Sequence, residues 1–179
     1  MPPSPEKKVK RLFFALWPPL SVRAQLEQIG RVVVGKKGRA VAGANLHLTL
    51  VFLGSVDQAG RQCMEQAADT VRGERFTLEF SQVGHWSRPR ILWLGPKETP
   101  PQLEALVTDL VRVLKSCGHD PDARRYQAHL TLARKAARPA KVASIEAIRW
   151  NVDRFCLVES ITAQAGPIYR VLKYWEFIQ

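Results

Sequence analysis

NLHLTL, residues 45–50, and QAHLTL, residues 127–132, decide how the chain is read, because both end in His-Leu-Thr-Leu, at His47 and at His129. With 4 histidines in the chain, chance would produce such a repeat on the order of once in a few hundred proteins. Two causes remain: a duplication that left two equivalent strands, or chemistry that needs two imidazoles in the same local setting. Side chains alternate across a β-strand, so His47 and Thr49 share one face, while Leu46, Leu48, Leu50 and Phe52 share the other. In the second copy His129 and Thr131 point one way, Leu130 and Leu132 the other. Leucine faces buried against helices leave the His and Thr faces to line a cleft.

Outward from the first motif, RLFFALWP (11–18) is a short apolar strand closed by Pro18 and Pro19. A helix follows, with Val22, Leu26, Ile29 and Val33 at helical spacing and Gly35 and Gly38 marking its end. After the NLHLTLVFLG strand, Asp57 caps a second helix whose expected buried stripe includes Cys63, Ala67 and Val71. RFTLEFSQVG and RILWLGP read as neighbouring strands joined by the loop HWSRP. Thr99 with Gln102 resembles a capping box for a helix that turns Leu103, Leu106, Leu110 and Val113 inward. Beyond QAHLTLAR, the pattern predicts a short helix over Val142 to Ile148, then strands in WNVDRFCLVES and IYRVLKYWEF.

A strand carrying HLTL, a helix and a strand pair thus recur in each half. The expected fold is α+β and bilobal: two pseudo-symmetric lobes of antiparallel β-sheet with packed helices around a central cleft. No low-complexity linker divides the halves, so residues 9–179 are expected to form one bilobal domain behind a disordered basic tail at 1–8.

The charge balance is the strongest bulk signal. Lys and Arg number 27 against 16 Asp and Glu, a formal charge of +11 and a pI near 10.1. Such a field attracts polyanions, RNA and DNA among them, and also serves plain solubility. Cys63, Cys117 and Cys156 are odd in number and scattered, so neither a disulfide framework nor a zinc knuckle is expected, and a reducing compartment fits. The apolar run Leu12 to Trp17 is too short for a secretory core and ends in two prolines, and no other run approaches a membrane span. The reading is a cytoplasmic protein without membrane contact.

Two imidazoles facing one cleft suit acid–base work near neutral pH, because one can be neutral while the other is protonated. A threonine hydroxyl can donate to a phosphoryl oxygen without adding charge. An imidazolium offsets negative charge as it builds on phosphorus. These are the parts for displacement at a phosphodiester with no metal and no cofactor. GRVVVGKK (30–37) matches the P-loop spacing but carries Lys37 where Ser or Thr must hold Mg²⁺, and it follows a helix instead of a strand. It reads as a helix end.

With those motifs in view, the sequence resembles the two-histidine (2H) phosphoesterases, and within them the bacterial and archaeal RNA 2′,3′-cyclic phosphodiesterases, also called 2′-5′ RNA ligases. RLFFAL, NLHLTLVFLG, PRILWLG, HLTLARK and GPIYRVL carry the resemblance in order over nearly the whole chain. The resemblance implies paired motifs facing each other in a central groove. It implies hydrolysis of an RNA 2′,3′-cyclic phosphate to a 2′-phosphate and a ligation activity through a 2′-5′ bond. RNA with either group, tRNA halves included, would be the partner of a monomer. By the same carry-over His47 would be the proton donor to the leaving oxygen, His129 the proton acceptor from water, and Thr49 and Thr131 the holders of the phosphate oxygens.

Other residues are expected to support substrate. Arg134, five residues after His129, would stack on a base or bond phosphate. Phe14 would wall the nucleobase, and Trp86 and Arg90 around the HWSRPR loop would guide the RNA chain. Tyr169 reads as packing, and His85 and His119 as surface loop histidines. Two other functions fit the same cleft: a noncatalytic protein that binds RNA ends, or the same chemistry on 2′-5′ oligoadenylate or small cyclic nucleotide phosphates.

Overall fold

The structure is a computed structural model that describes residues 8–34, 38–120, 125–137 and 145–178. Its centre is a curved sheet. The first half contributes β1 (Lys10–Leu16), β2 (Arg39–Ala40), β3 (Leu48–Val56), β5 (Gln82–Trp86) and β6 (Ile91–Gly95). The second half adds β7 (Leu130–Arg134), β9 (Arg154–Ala163) and β10 (Gly166–Glu176). The order is β10-β9-β1-β3-β7-β6-β5, with β2 also paired to β7. Every pairing in it is antiparallel. β4 (Phe76–Phe80) and β8 (Ile148–Val152) form a separate antiparallel pair.

One face of the sheet is closed by α1 (Leu20–Val34), α2 (Gln58–Ala68) and α3 (Pro101–Leu114). α1 packs on β7 and β8, while α3 packs on β3 and on α2. Leu12, Phe14, Leu16, Leu48 and Leu130 meet helix residues Leu26, Met64, Leu103 and Leu110 in this core. The other face carries a smaller apolar group of Phe13, Ala15, Cys156 and Val158 with Trp17, Tyr169 and Val171 against it. Two sheet faces with different neighbours follow from the alternation of side chains along β1.

The α+β, two-lobed antiparallel architecture is as expected, but the lobes are not successive half-chains. β9 and β10, last in the sequence, extend the lobe built on β1 and β3, and β5 and β6 from the first half extend β7. Among the described residues, β3 and β7 join the two lobes of the sheet through one paired position, Leu48 with Leu130.

Several local expectations are corrected. RFTLEFSQVG is two strands: it breaks at Ser81, whose N–H donates to the Gly95 carbonyl at 3.1 Å, and β4 leaves to join β8. WNVDRFCLVES likewise breaks at Asp153 between β8 and β9. Of the helix expected over Val142 to Ile148, residues 142–144 lie outside the described residues, 145–147 are irregular and Ile148 opens β8. Residues 1–7 of the expected tail also lie outside them. Asp57 caps α2 by accepting from the Gly60 N–H at 2.8 Å; Val71 is buried as expected, but within the helix Met64 and Ala68 are buried in place of Cys63 and Ala67. α3 opens without the Thr99–Gln102 box, because Pro100 occupies the cap and its carbonyl takes the Leu103 and Glu104 N–H groups.

The cysteines correct the sequence reading most plainly. Cys63 on α2 is disulfide-bonded to Cys117 just past α3, with Cα atoms 5.8 Å apart. Their 54-residue separation gives no local sequence signal, and only the packing of α2 beside α3 brings them together. This pairing removes the cysteine pattern as a ground for a reducing compartment. No helix among the described residues is long and apolar enough to cross a membrane.

Candidate active site

His47 and His129 each stand one residue ahead of a strand, β3 and β7. Leu48 pairs with Leu130 in antiparallel register, so one step outward sets His47 opposite Thr131 and Thr49 opposite His129. Both leucines are fully buried toward the helices, which turns all four polar side chains to the opposite face. The repeat is therefore one local arrangement used twice, head to tail.

Each imidazole is oriented by the carbonyl two residues before it. His47 Nδ1–H donates to Asn45 O at 2.6 Å, and His129 Nδ1–H donates to Gln127 O at 2.9 Å. A carbonyl only accepts, so in both rings the proton sits on Nδ1 and Nε2 keeps its lone pair for the cleft. The Thr49 hydroxyl lies 3.1 Å from His47 Nε2. Asn45 is itself tied by its amide to Pro167 O at 2.8 Å, and the Tyr126 hydroxyl donates to Thr49 O at 3.1 Å. These bonds cross between the two motif segments and β10. They hold the histidines at a fixed spacing.

Aromatic rings surround the pair unequally. His47 stacks on Trp17 (5.5 Å between centroids, 12° between planes) and meets Phe13 at 4.9 Å and Tyr169 edge-on at 5.0 Å. His129 is met by Trp86 at 4.6 Å in a T-shaped contact, and Trp86 leans on Trp93 at 5.4 Å. Burial disfavours charge on both imidazoles. His47 falls from 6.5 to about 4, through burial first, against the Asn45 hydrogen bond, with the positive charges of Arg134 and His129 adding to the fall. His129 is lowered by burial first and then by Arg134, against the Gln127 hydrogen bond. Both rings are therefore neutral near pH 7. An anion placed between them would favour the protonated form of either ring.

The expected supporting residues divide. Arg134 is exposed at the end of β7, near enough for its charge to act on both histidines. Trp86 reaches His129. Arg90 lies in the β5–β6 turn, its guanidinium donating to Lys135 O at 3.3 Å. Phe14 is a correction. It is fully buried against Phe155 and Trp175 on the helix side, and its neighbour Phe13 faces the cleft instead. His85 belongs to strand β5, not a loop; it is half-buried and its Nε2 lies 3.1 Å from Ala136 O. His119 is half-buried too, and burial lowers its pKa.

Phe52 is also corrected. β3 skips a residue against β1 twice, passing from Thr49 to Val51 and from Phe52 to Gly54. The first bulge inverts the alternation, so Phe52 sits 6.1 Å from Phe13 on the cleft side and is 65% exposed. The sequence does not mark Phe13, Trp17 or Tyr126 as site residues; Tyr169 packs as expected, and its ring also meets His47. In the unbroken apolar run LFFALW no polar residue shows which parity faces out. Among the described residues no three of His, Cys, Asp or Glu gather as a metal-ligating group.

The family model described as the 2′-5′ RNA ligase superfamily matches residues 18–163. An RNA 2′,3′-cyclic phosphodiesterase of Escherichia coli K12 is 32% identical over 173 residues, covering 95% of this chain and 98% of the relative. One from Archaeoglobus fulgidus is 33% identical over 177 residues, covering 93% and 99%. The crystal structure of E. coli LigT in apo form matches with a TM-score of 0.88 at 32% identity over 96% of this chain and 99% of that one. LigT complexed with 3′-AMP matches at 0.89, 32% identical over 96% and 100%. The paired motifs, the fold and these matches agree, and the chain belongs to the 2′-5′ RNA ligase superfamily.

Proposed function

We propose that this protein hydrolyses RNA 2′,3′-cyclic phosphate ends to 2′-phosphates by two-histidine acid–base catalysis. The observation that carries the reading is the pair of imidazoles with Nδ1–H tied to a backbone carbonyl and Nε2 turned to the face that carries the motif threonines, His47 Nε2 lying 3.1 Å from the Thr49 hydroxyl. His129 Nε2 takes a proton from water as the water oxygen bonds to phosphorus. The bond from phosphorus to the 3′ oxygen breaks, and His47 Nε2 delivers a proton to that oxygen. Thr49 and Thr131 donate to the non-bridging oxygens, and Arg134 offsets the anion. Burial holds both rings neutral near pH 7, so His47 takes up its proton as the phosphate arrives. Nucleophile and leaving group exchange places in the reverse direction, and an RNA 5′ hydroxyl can replace water. That exchange supports 2′-5′ ligation. Exposed Phe52, with Phe13 behind it, offers the nucleobase the apolar wall that buried Phe14 does not.

RNA ending in a 2′,3′-cyclic phosphate, incubated with EDTA, tests the reading by product identity. A 2′-phosphate should form, and turnover should fall on the order of 10²- to 10⁴-fold in His47→Ala and in His129→Ala. Unchanged turnover in both variants would end the mechanism. A 3′-phosphate product would reverse the assignment of the leaving oxygen.

A further inference from the structure

The two histidines share a motif, a carbonyl partner and an antiparallel setting, yet their aromatic surroundings differ. Antiparallel pairing of Leu16 with Leu48 continues outward to set Trp17 beside His47. There the indole plane lies parallel to the imidazole, 12° apart with centroids at 5.5 Å. Trp86 meets His129 edge to face, 71° apart. A parallel stack presents the electron-rich indole face to the ring, the arrangement that attracts a cation. Pro18 and Pro19 follow Trp17 directly and restrict the backbone that carries it.

We propose that Trp17 is a positioning residue for His47: its indole face fixes the imidazole with Nε2 aimed into the cleft and stabilises that ring once protonated. The stack offers the His47 ring an electron-rich face for the proton that it delivers to the leaving oxygen. The inference rests on the two-histidine reading above. Asn45, Thr49, Phe13, Trp17 and Tyr169 all touch the His47 ring, and two of these contacts set its orientation. The Asn45 carbonyl fixes the Nδ1 edge, and Trp17 fixes the plane. The titratable and charged groups around the ring are His129 and Arg134 from the β7 side and the Tyr169 phenol from β10. Both β7 groups are cationic when charged and oppose a proton on His47. The β1 side supplies the aromatic faces of Phe13 and Trp17 that favour one.

The test follows the His47 imidazole by NMR titration with inorganic phosphate bound, in the native protein, Trp17→Leu and Trp17→Phe. Trp17→Leu should lower the His47 pKa by about 0.5 to 1.5 units. The alkaline limb of the kcat profile should move down with it, KM changing little, and Trp17→Phe should recover most of both. Fluorinated tryptophan placed at position 17 keeps the shape and drains the ring face. It should lower the same pKa stepwise even where Trp17→Leu folds poorly. A His47 pKa that stays constant across the fluorinated series, or a Trp17→Leu variant that loses kcat with no pKa change, overturns the proposal. The titration needs no RNA turnover, so it fails or succeeds independently of the His47→Ala and His129→Ala assay.

Discussion

Burial, with the Arg134 charge beside it, leaves His47 neutral at pH 7, and this has a cost that pH exposes. Its folded pKa of about 4 lies below the ordinary 6.5, so the unfolded chain binds the proton first. Stability is intact above pH 6.5 and is lost progressively as pH falls toward 4, by about 3 kcal/mol for the whole shift. Urea unfolding of the native protein and of His47→Gln between pH 7 and 4 checks this. The two stabilities should converge or cross as the pH falls, and a constant difference would contradict the burial argument. At the residue scale the polar half of the site was legible: alternation alone placed His47 with Thr49 and His129 with Thr131. The choice between Phe13 and Phe14 was not, because a strand that is apolar on both faces carries no parity signal.

Among the elements, the β5–β6 hairpin supports His129 at a distance. Trp93 lies across Gly84, where an added Cβ would occupy the space of the indole ring. Trp93 packs on Trp86, and Trp86 on His129. Gly84→Ala must therefore displace Trp93 and, through Trp86, the imidazole. The expected cost is about 1 to 3 kcal/mol in unfolding free energy, with kcat falling by more than KM rises. Thermal unfolding and steady-state kinetics on a cyclic phosphate check it, and a variant of native stability and native kcat would show that the stack does not support His129. Strand existence was readable here, but not strand partners. The break at Ser81 that sends β4 to β8 and β5 to β6 has no mark stronger than one serine in an alternating run. The β3 bulges are silent for a related reason: Leu50, Val51 and Leu53 are all apolar and all end up buried.

Across the whole molecule, the helical layer is cross-linked by Cys63–Cys117 on the side away from the cleft. Closing a loop of 54 residues restricts the unfolded chain, and loop entropy assigns this about 4 kcal/mol. Cys63→Ser with Cys117→Ser should lower the denaturant midpoint accordingly while folded molecules keep their kcat. Equal midpoints for the native protein and the double variant would remove the bridge from the account of stability. The lobes interleave, with β9 and β10 closing on β1 while β5 and β6 close on β7. The two motifs meet at one strand pair, and the Tyr126–Thr49 bond ties the segments that carry them.

What the amino-acid order determined by itself is the chemistry on offer: two His-x-Thr faces, a strong positive charge, and apolar stripes long enough for α+β lobes. Those depend on near neighbours along the chain, where a period of two or 3.6 residues is enough. Only the tertiary structure decided which rings surround each histidine, that Cys63 finds Cys117, and that the lobes exchange strands. Each of these is a contact between segments far apart in sequence, selected by packing across the whole core, and no local pattern records it. The inequality between two identical tetrapeptides is of this kind. His47 meets Phe13, Trp17 and Tyr169, whereas His129 meets Trp86.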